Sequence, residues 1–237
     1  MSARKRRRPK RKSPGRRIVG GAFALLIAAP VTYLGFCSLW LVAYNVVPPP
    51  ITGVQIQRLV EYVIDDGPVR HSYRPVSQGR IASHMRHAAV AAEDGRFYEH
   101  NGIDLDAIRE AIDDNRRRGS TRRGGSTITQ QLVKNLFMTT HRSYVRKAME
   151  IPLALIAEIV LPKDRILTLY LNVVELDRGV YGVEAAARHY YNTSAVDLSR
   201  RQSAALAACL PAPRRRSPHQ MDWYTNIILG RMTQMGW

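Results

Sequence analysis

Two glutamates stand where a carboxylate could take a proton from a substrate. Glu93 closes the alanine-rich run of "AAVAAEDGRFYEHNGID" (88–104), just where a glycine-bearing loop opens, and Glu150 sits inside "HRSYVRKAMEIPLALIAE" (141–158). Arg142, Arg146 and Glu150 recur at four-residue spacing and so share one helix face. Such a face is either a surface ladder worth a few tenths of a kcal/mol per pair or a cationic wall with one carboxylate set into it. Between the glutamates lies "GGSTITQQLVKN" (124–135). Here the glycines let the backbone approach closely, Ser126 or Thr127 can cap a helix, and Ile128, Leu132 and Leu136 recur on one buried face. Gln130, Lys134 and the first free amides are left on other faces, and a helix N-terminus with a nearby cation is a natural anion site. Two carboxylates, a helix N-terminus and a run of cations, in a chain that also carries a long uncharged apolar stretch, suggest a lipid-linked phosphate substrate. Phe97 and His100 read as residues that shape and orient the surroundings of Glu93.

The elements that must hold these residues are mostly helices. From His84 onward, alanine-rich runs with apolar spacings of three and four predict helices over 84–94, 104–118, 126–138, 142–160, 163–175, 180–190 and 199–210. Pro152 removes a helical hydrogen bond just after Glu150 and predicts a kink there. Residues 54–80 read as mixed, with turn signals and a short strand. "RRRGSTRRGG" (116–125) and "PAPRRRSP" (211–218) read as basic loops.

Composition places these elements beside a membrane. The formal charge of +17 is concentrated, because residues 1–17 hold ten Lys and Arg and no acid, leaving 17 − 10 = +7 elsewhere. From Ile18 to Val47 there is no charged side chain, and a helix of that length would extend about 45 Å, enough to span a bilayer with room to tilt. The stretch is too long for the apolar region of a cleaved signal peptide, and its small-residue pattern lies at the wrong end. It predicts an uncleaved single-pass anchor with the basic tail in the cytoplasm, Trp40 and Tyr44 near the outer interface, and the catalytic domain outside the inner membrane. "VVPPPITG" is a stiff exit from it. The domain plan is therefore a basic cytoplasmic tail (1–17), a transmembrane anchor (18–47), a linker leading into the domain (48–83) and a catalytic domain (84–237).

Other classes are disfavoured. The basic tail has no aromatic interleaving, zinc spacing or recognition helix beside it, so it does not read as a nucleic-acid binder. Cys37 and Cys209 form no framework, and no CxxC or Cys/His pattern predicts a metal site.

Five ordered stretches carry a resemblance: "EDGRFYEHNGID", "GGSTITQQLVKN", "RKAME", "KDRILTLYLNVVE" with "GVYGVEAAARHYY", and "LSRRQSAALAACLPAP". They resemble, in order, the motifs of the lysozyme-like peptidoglycan glycosyltransferases, over roughly residues 84–218. The short anchored chain is similar to the monofunctional biosynthetic members of that family, and no "KTG" or "SDN" follows to suggest a transpeptidase. The resemblance implies a mainly α, two-lobed lysozyme-like domain preceded by one transmembrane helix. It implies lipid II and the growing glycan strand as substrates, membrane lipids as surroundings, and cell-wall synthesis or division proteins as partners. Glu93 would be general base on the acceptor 4-hydroxyl and Glu150 would support the donor. Lys134, Arg142, Arg146 and Lys147 fall where the family's diphosphate-binding cations lie, with Ser126 and Gln130 lining the same cleft. No cofactor is implied as obligatory, although the family admits a divalent cation, Mg²⁺ or Mn²⁺. Two departures stand out: "LDR" between Glu175 and Gly179, where many relatives have an aromatic followed by glycine, and Gln202, where the fifth motif commonly has an acid.

On the residues alone two rivals stay open. A lysozyme-like lytic enzyme also uses a buried glutamate beside a sugar cleft, and a noncatalytic scaffold would tolerate loss of Glu93.

Overall fold

The computed structural model describes residues 14–119, 124–141 and 143–237, with residues 14–27 and Arg118 described by their backbone alone. Most of the basic tail, the centre of the "RRRGSTRRGG" loop and the candidate site residue Arg142 lie outside the described residues. Among those described, ten α-helices and one three-stranded sheet make up a mainly helical fold.

The seven helices expected from His84 onward are all present, with their ends shifted by a few residues. They are α3 (Ser83–Glu93), α4 (Leu105–Arg118), α5 (Ile128–Phe137), α6 (Tyr144–Val160), α7 (Lys163–Val173), α8 (Val183–Tyr191) and α9 (Arg200–Ala207). Four of them, α4, α5, α6 and α9, start on short polar side chains that take orphan amides of the first turn. Asp104 accepts from Ala107 N, and Ser143 accepts from Arg146 N. Thr127 with Gln130, and Ser199 with Gln202, form capping boxes. Gln202 thus does the structural work that an acid would do at the same third position. Pro152 lies inside a continuous α6, and its missing amide would have met the carbonyl of Ala148, an exposed residue.

Three more helices lie outside those seven, the first of them over most of the stretch expected as an anchor helix. Helix α1 (Pro14–Ala43) is continuous through Pro30, and α2 (Gly53–Ile64) occupies much of the segment read as mixed. Helix α2 starts on a Thr52–Gln55 capping box and docks on the end of α5, where a side chain in place of Gly53 would come within 2.6 Å of the Met138 carbonyl. Helix α10 (Asp222–Gln234) completes the chain. The short strand expected in 54–80 is β1 (Ser72–Tyr73), which pairs parallel with β3 (Val180–Tyr181). β3 in turn pairs antiparallel with β2 (Glu175–Asp177) across an irregular register. The "LDR" departure therefore forms a tight β2–β3 turn, closed by Gly179 at φ +73° against the Arg70 carbonyl.

Helices α5, α6 and α7 pack together as one group, α3, α9 and α10 as another, and α3 also meets α7. The C-terminal half of α1 lies on α6, burying Cys37 and Leu41 in the core. The Tyr33 hydroxyl donates to the Phe137 carbonyl, and Tyr44 stacks on the Phe137 ring. Arg165 donates to the carbonyls of Tyr44 (2.6 Å) and Val47 (2.9 Å), a cation placed at the negative end of α1. Among the described residues no helix is long and apolar enough to cross a membrane.

Candidate active site

Helix α3 ends at Glu93 because Asp94 leaves helical geometry and turns inward. Asp94 is buried and accepts from His100 Nε2 (2.9 Å) and from the amide of Ile128 (2.9 Å), the first residue of α5. The acidic pair is therefore divided in role. Asp94 staples α3 to the start of α5, and His100 serves Asp94 rather than Glu93. Phe97 is fully buried, with the Lys163 amine over its ring.

Glu93 is half-buried at the junction. Its Oε2 accepts from Gln131 Nε2 (2.6 Å), and Gln131 Oε1 accepts from the hydroxyl of the fully buried Tyr170 (3.0 Å). With the Tyr170 hydroxyl donating to Gln131 Oε1, the Gln131 amide presents an N–H group to Glu93. Glu93 Oε1 has no hydrogen-bond partner among the described residues. Burial pushes the Glu93 carboxyl above its ordinary pKa and Asp94 adds to this, against the Gln131 hydrogen bond and the charges of Lys134 and Arg216. Such opposed influences suit a group that must stay ionised yet accept a proton.

The second cluster is built on α6. Glu150 is buried, ion-paired to Arg146 through one oxygen and to Lys147 Nζ (3.1 Å) through the other. The Lys147 amine also reaches Ser126 Oγ (3.1 Å) and Gln130 Oε1 (3.4 Å), while Arg146 Nε donates to the His141 carbonyl (2.7 Å). Lys134, on α5, is near enough to Glu93, Arg146 and Lys147 for their charges to act on one another. Its amine makes no hydrogen bond or ion pair among the described residues. Burial lowers the pKa of Lys134, Arg146 lowers it further, and Glu93 opposes this; Lys147 is lowered by burial, then by Arg146 and Lys134. Arg146 and Lys147 share one buried carboxylate with Lys134 as a third nearby cation, so the site is short of negative charge, which an anion would relieve.

The structure thus gathers Ser126, Gln130, Arg146, Lys147 and Glu150 into one cluster, with Lys134 linking it to Glu93. One expectation is corrected. Two of the first amides of α5 are already taken and so are not left free for an anion: Asp94 accepts from Ile128 N and Thr127 accepts from Gln130 N. The anion-binding character comes from side chains instead. Gln131, Tyr170, Asp94 and Arg216 are the site residues that sequence reasoning missed. Gln131 was adjacent to a chosen residue, but nothing local distinguished which glutamine faced which carboxylate.

The residues do not offer a divalent metal a ready seat. Both oxygens of Glu150 are held by cations. The one grouping of potential ligands among the described residues, Asp94, His100 and Asp104, is already consumed. Asp104 is gripped by Arg96 through both oxygens (2.7 and 3.0 Å) while capping α4.

Comparison with known proteins gives the family. The transglycosylase family model matches residues 61–233. A biosynthetic peptidoglycan transglycosylase of Bordetella pertussis is 43% identical over 222 residues, covering 92% of each chain. The protein of that name from Pseudomonas fluorescens is 40% identical over 220 residues and 90% of each chain. The one from Herminiimonas arsenicoxydans is 44% identical over 200 residues, 81% of this chain and 84% of its own. With the family model spanning most of its length and relatives this similar matched nearly end to end, the chain belongs to the transglycosylase family and is a glycosyl-transferring enzyme.

Proposed function

We propose that the chain polymerises lipid II into β-1,4-linked glycan strands, with Glu93 as general base. The carrying observation is Lys134, whose charge acts both on a carboxylate with one free oxygen and on a cluster of cations with too little negative charge. In this reading the acceptor 4-hydroxyl approaches Glu93 Oε1, while Gln131 holds Oε2. The hydroxyl oxygen attacks the anomeric carbon of the donor and its proton passes to Glu93. The bond from that carbon to the diphosphate oxygen breaks on the opposite face, so configuration inverts. Undecaprenyl diphosphate leaves with the bonding electrons, met by Lys134, Arg146 and Lys147. Arg142 belongs to this set by its spacing from Arg146. Glu150 neutralises part of the cluster and holds Arg146 and Lys147 in place, and Ser126 and Gln130 fix the Lys147 amine. Side-chain cations, rather than a protein-held metal, carry the leaving-group charge.

A lytic activity is disfavoured by the same arrangement. Glycosidases use a second carboxyl group as acid or nucleophile, and Glu150 is tied to two cations in a buried site. We further propose that α1 with its basic tail is an inner-membrane anchor, N-terminus in the cytoplasm and catalytic domain outside. The uncharged stretch 18–47 supports this, as do the exposed apolar residues Phe36, Leu39 and Val42 along α1 and Leu155 and Ile159 on α6. Wild-type protein given labelled lipid II and, separately, purified peptidoglycan tests the direction of reaction. Polymer from lipid II with peptidoglycan left uncut is expected; soluble muropeptides with lipid II unconsumed would reverse the assignment.

A further inference from the structure

Glu93 is influenced by cations from two separate groups of helices. Lys134 belongs to α5, beside Arg146 and Lys147 of α6, whereas Arg216 belongs to the loop between α9 and α10, and the charges of both Lys134 and Arg216 reach the Glu93 carboxyl. The Arg216 guanidinium is fixed in place. Its Nη1 donates to the carbonyl of Ala208, the C-cap of α9 (2.9 Å), and its Cζ lies over the ring of Tyr224 on α10 (5.5 Å). The loop around it is ordered as well: the Ala212 carbonyl accepts from Arg215 N (3.0 Å) and Arg216 N (3.1 Å), and Arg214 reaches Glu61 on α2 (3.7 Å). Pro211, Pro213 and Pro218 restrict its backbone further. Three consecutive arginines therefore stand on a rigid loop, in a stretch with no acid between Asp197 and Asp222. Among the described residues only Arg214 of the three is in ion-pair contact with a carboxylate, and Arg215 is exposed.

An enzyme that joins two substrate molecules must hold both of them. The reading above gives the donor diphosphate to Lys134, Arg146 and Lys147, and gives the acceptor nothing but Glu93. The disaccharide that brings the 4-hydroxyl to Glu93 also carries an acidic peptide. We infer that the loop 211–218 binds the carboxylates of the acceptor's peptide, through Arg215 and Arg216. The inference rests on the lipid II reading above. It favours the peptide over the acceptor's own diphosphate because a diphosphate tied to a hydrocarbon chain belongs beside apolar surface. Exposed large apolar side chains lie on α1, α2 and α6, as at Leu39, Ile56 and Ile159, and none lies on this loop. Trp223, exposed and set against Tyr224 (5.3 Å between rings), gives the small apolar side chains of such a peptide a surface next to the arginines. The loop then makes the charge of the peptide part of acceptor specificity.

The test uses full-length protein in neutral detergent and a lipid II analogue whose 4-hydroxyl is blocked, so that it can only donate. Three labelled acceptors are compared at saturating donor: lipid II with its native peptide, with the peptide carboxylates amidated, and with no peptide. Wild type should prefer the native acceptor over the amidated one by about three- to tenfold in kcat/KM, the range of one or two charged contacts on an exposed loop, with most of the change in the acceptor KM. Arg215→Ala should treat the three acceptors nearly alike, Arg215→Lys should keep part of the preference, and the donor KM should change in neither. Amidation of the acceptor reads the same contact in wild type, so the result does not depend on how a variant folds. A wild type indifferent to amidation, or Arg215→Ala protein that keeps the preference, would overturn the inference while leaving the polymerase assignment intact. Arg215→Ala protein that loses as much on the peptide-free acceptor as on the native one would assign the loop to the acceptor diphosphate, and a preference that appears only with added anionic phospholipid would assign it to the membrane; either result overturns the inference. A wild type that couples none of the acceptors and consumes no lipid II would overturn both readings.

Discussion

Replacing Tyr170 with Phe removes one oxygen atom that never touches substrate, and the structure says what should follow. The hydroxyl of this fully buried residue donates to Gln131 Oε1 at 3.0 Å, and Gln131 Nε2 donates to Glu93 at 2.6 Å. Losing a neutral hydrogen bond costs about 1 kcal/mol, and a stranded buried acceptor adds about 1–3 kcal/mol. Gln131 is only half-buried, so water can offset part of the second cost and a total of about 1–2 kcal/mol is expected. For a chain of this size that lowers Tm by about 2–8 °C. The larger consequence is at Glu93. Without the tyrosine proton the amide can flip, and Glu93 loses one of the influences that holds its pKa down. The carboxyl already sits above its ordinary value, so the acid limb of kcat/KM should lie above the usual carboxylate range in wild type. In Tyr170→Phe it should move to still higher pH, with the rate at alkaline pH much less affected. Rates measured across pH 4–9 on labelled substrate, with thermal melts alongside, check both parts. An unmoved acid limb in a folded variant would refute the proposed chain from Tyr170 through Gln131 to Glu93.

Other perturbations follow from the same contacts. Glu93→Gln should be as stable as wild type or slightly more stable near neutral pH. A raised folded-state pKa gives stability that is present below the unfolded value and lost as pH rises through the folded one, and the amide removes this dependence in urea titrations. Lys147→Ala should lower activity at least tenfold and destabilise the fold, since Glu150 is then left buried with Arg146 alone; Arg146→Lys should rescue incompletely for want of the guanidinium fork. Inorganic pyrophosphate should raise the wild-type Tm, less so at high salt, and hardly at all for Lys147→Ala. Removing residues 1–47 should cost several kcal/mol, at about 1.5–3 kcal/mol per large apolar side chain, because Leu41 and Tyr44 are buried in the core together with Cys37; a truncation that retains residues 30–47 should keep the wild-type melting profile.

Helices with one apolar face and a polar cap were legible in the sequence. The α5 capping box, its buried Ile128, Leu132 and Leu136, and the stop of α3 at Glu93 are all local features. Helix α2 carries an apolar stripe of helical spacing at Ile56, Val60, Val63 and Ile64 that is exposed in the fold, and the turn residues that follow it, from Asp65 to Pro68, made the segment read as mixed. Helix α10 was hidden, with Trp223 and Ile227 exposed beside buried Ile228 and Met232. At the site, residue types in the motifs pointed to the right cluster, since Arg146, Lys147 and Glu150 are near neighbours in the chain. The pairing of Glu93 with Gln131, 38 residues away, and the support from Tyr170, a further 39 away, depend on how α3, α5 and α7 pack. No local spacing encodes that. The docking of α1 on α6 was equally invisible, because an uncharged helix bears no mark of which part of it meets protein.

The central claim is that Glu93 removes the acceptor proton during lipid II polymerisation. Single-turnover conversion of labelled lipid II by wild type and by Glu93→Gln, each shown folded by its melt, tests it most directly. The account predicts polymer from wild type and a loss of about 10²- to 10⁴-fold in the variant, with binding of the substrate head group retained through Lys134, Arg146 and Lys147. A folded Glu93→Gln protein that keeps more than about a tenth of the wild-type rate would contradict it.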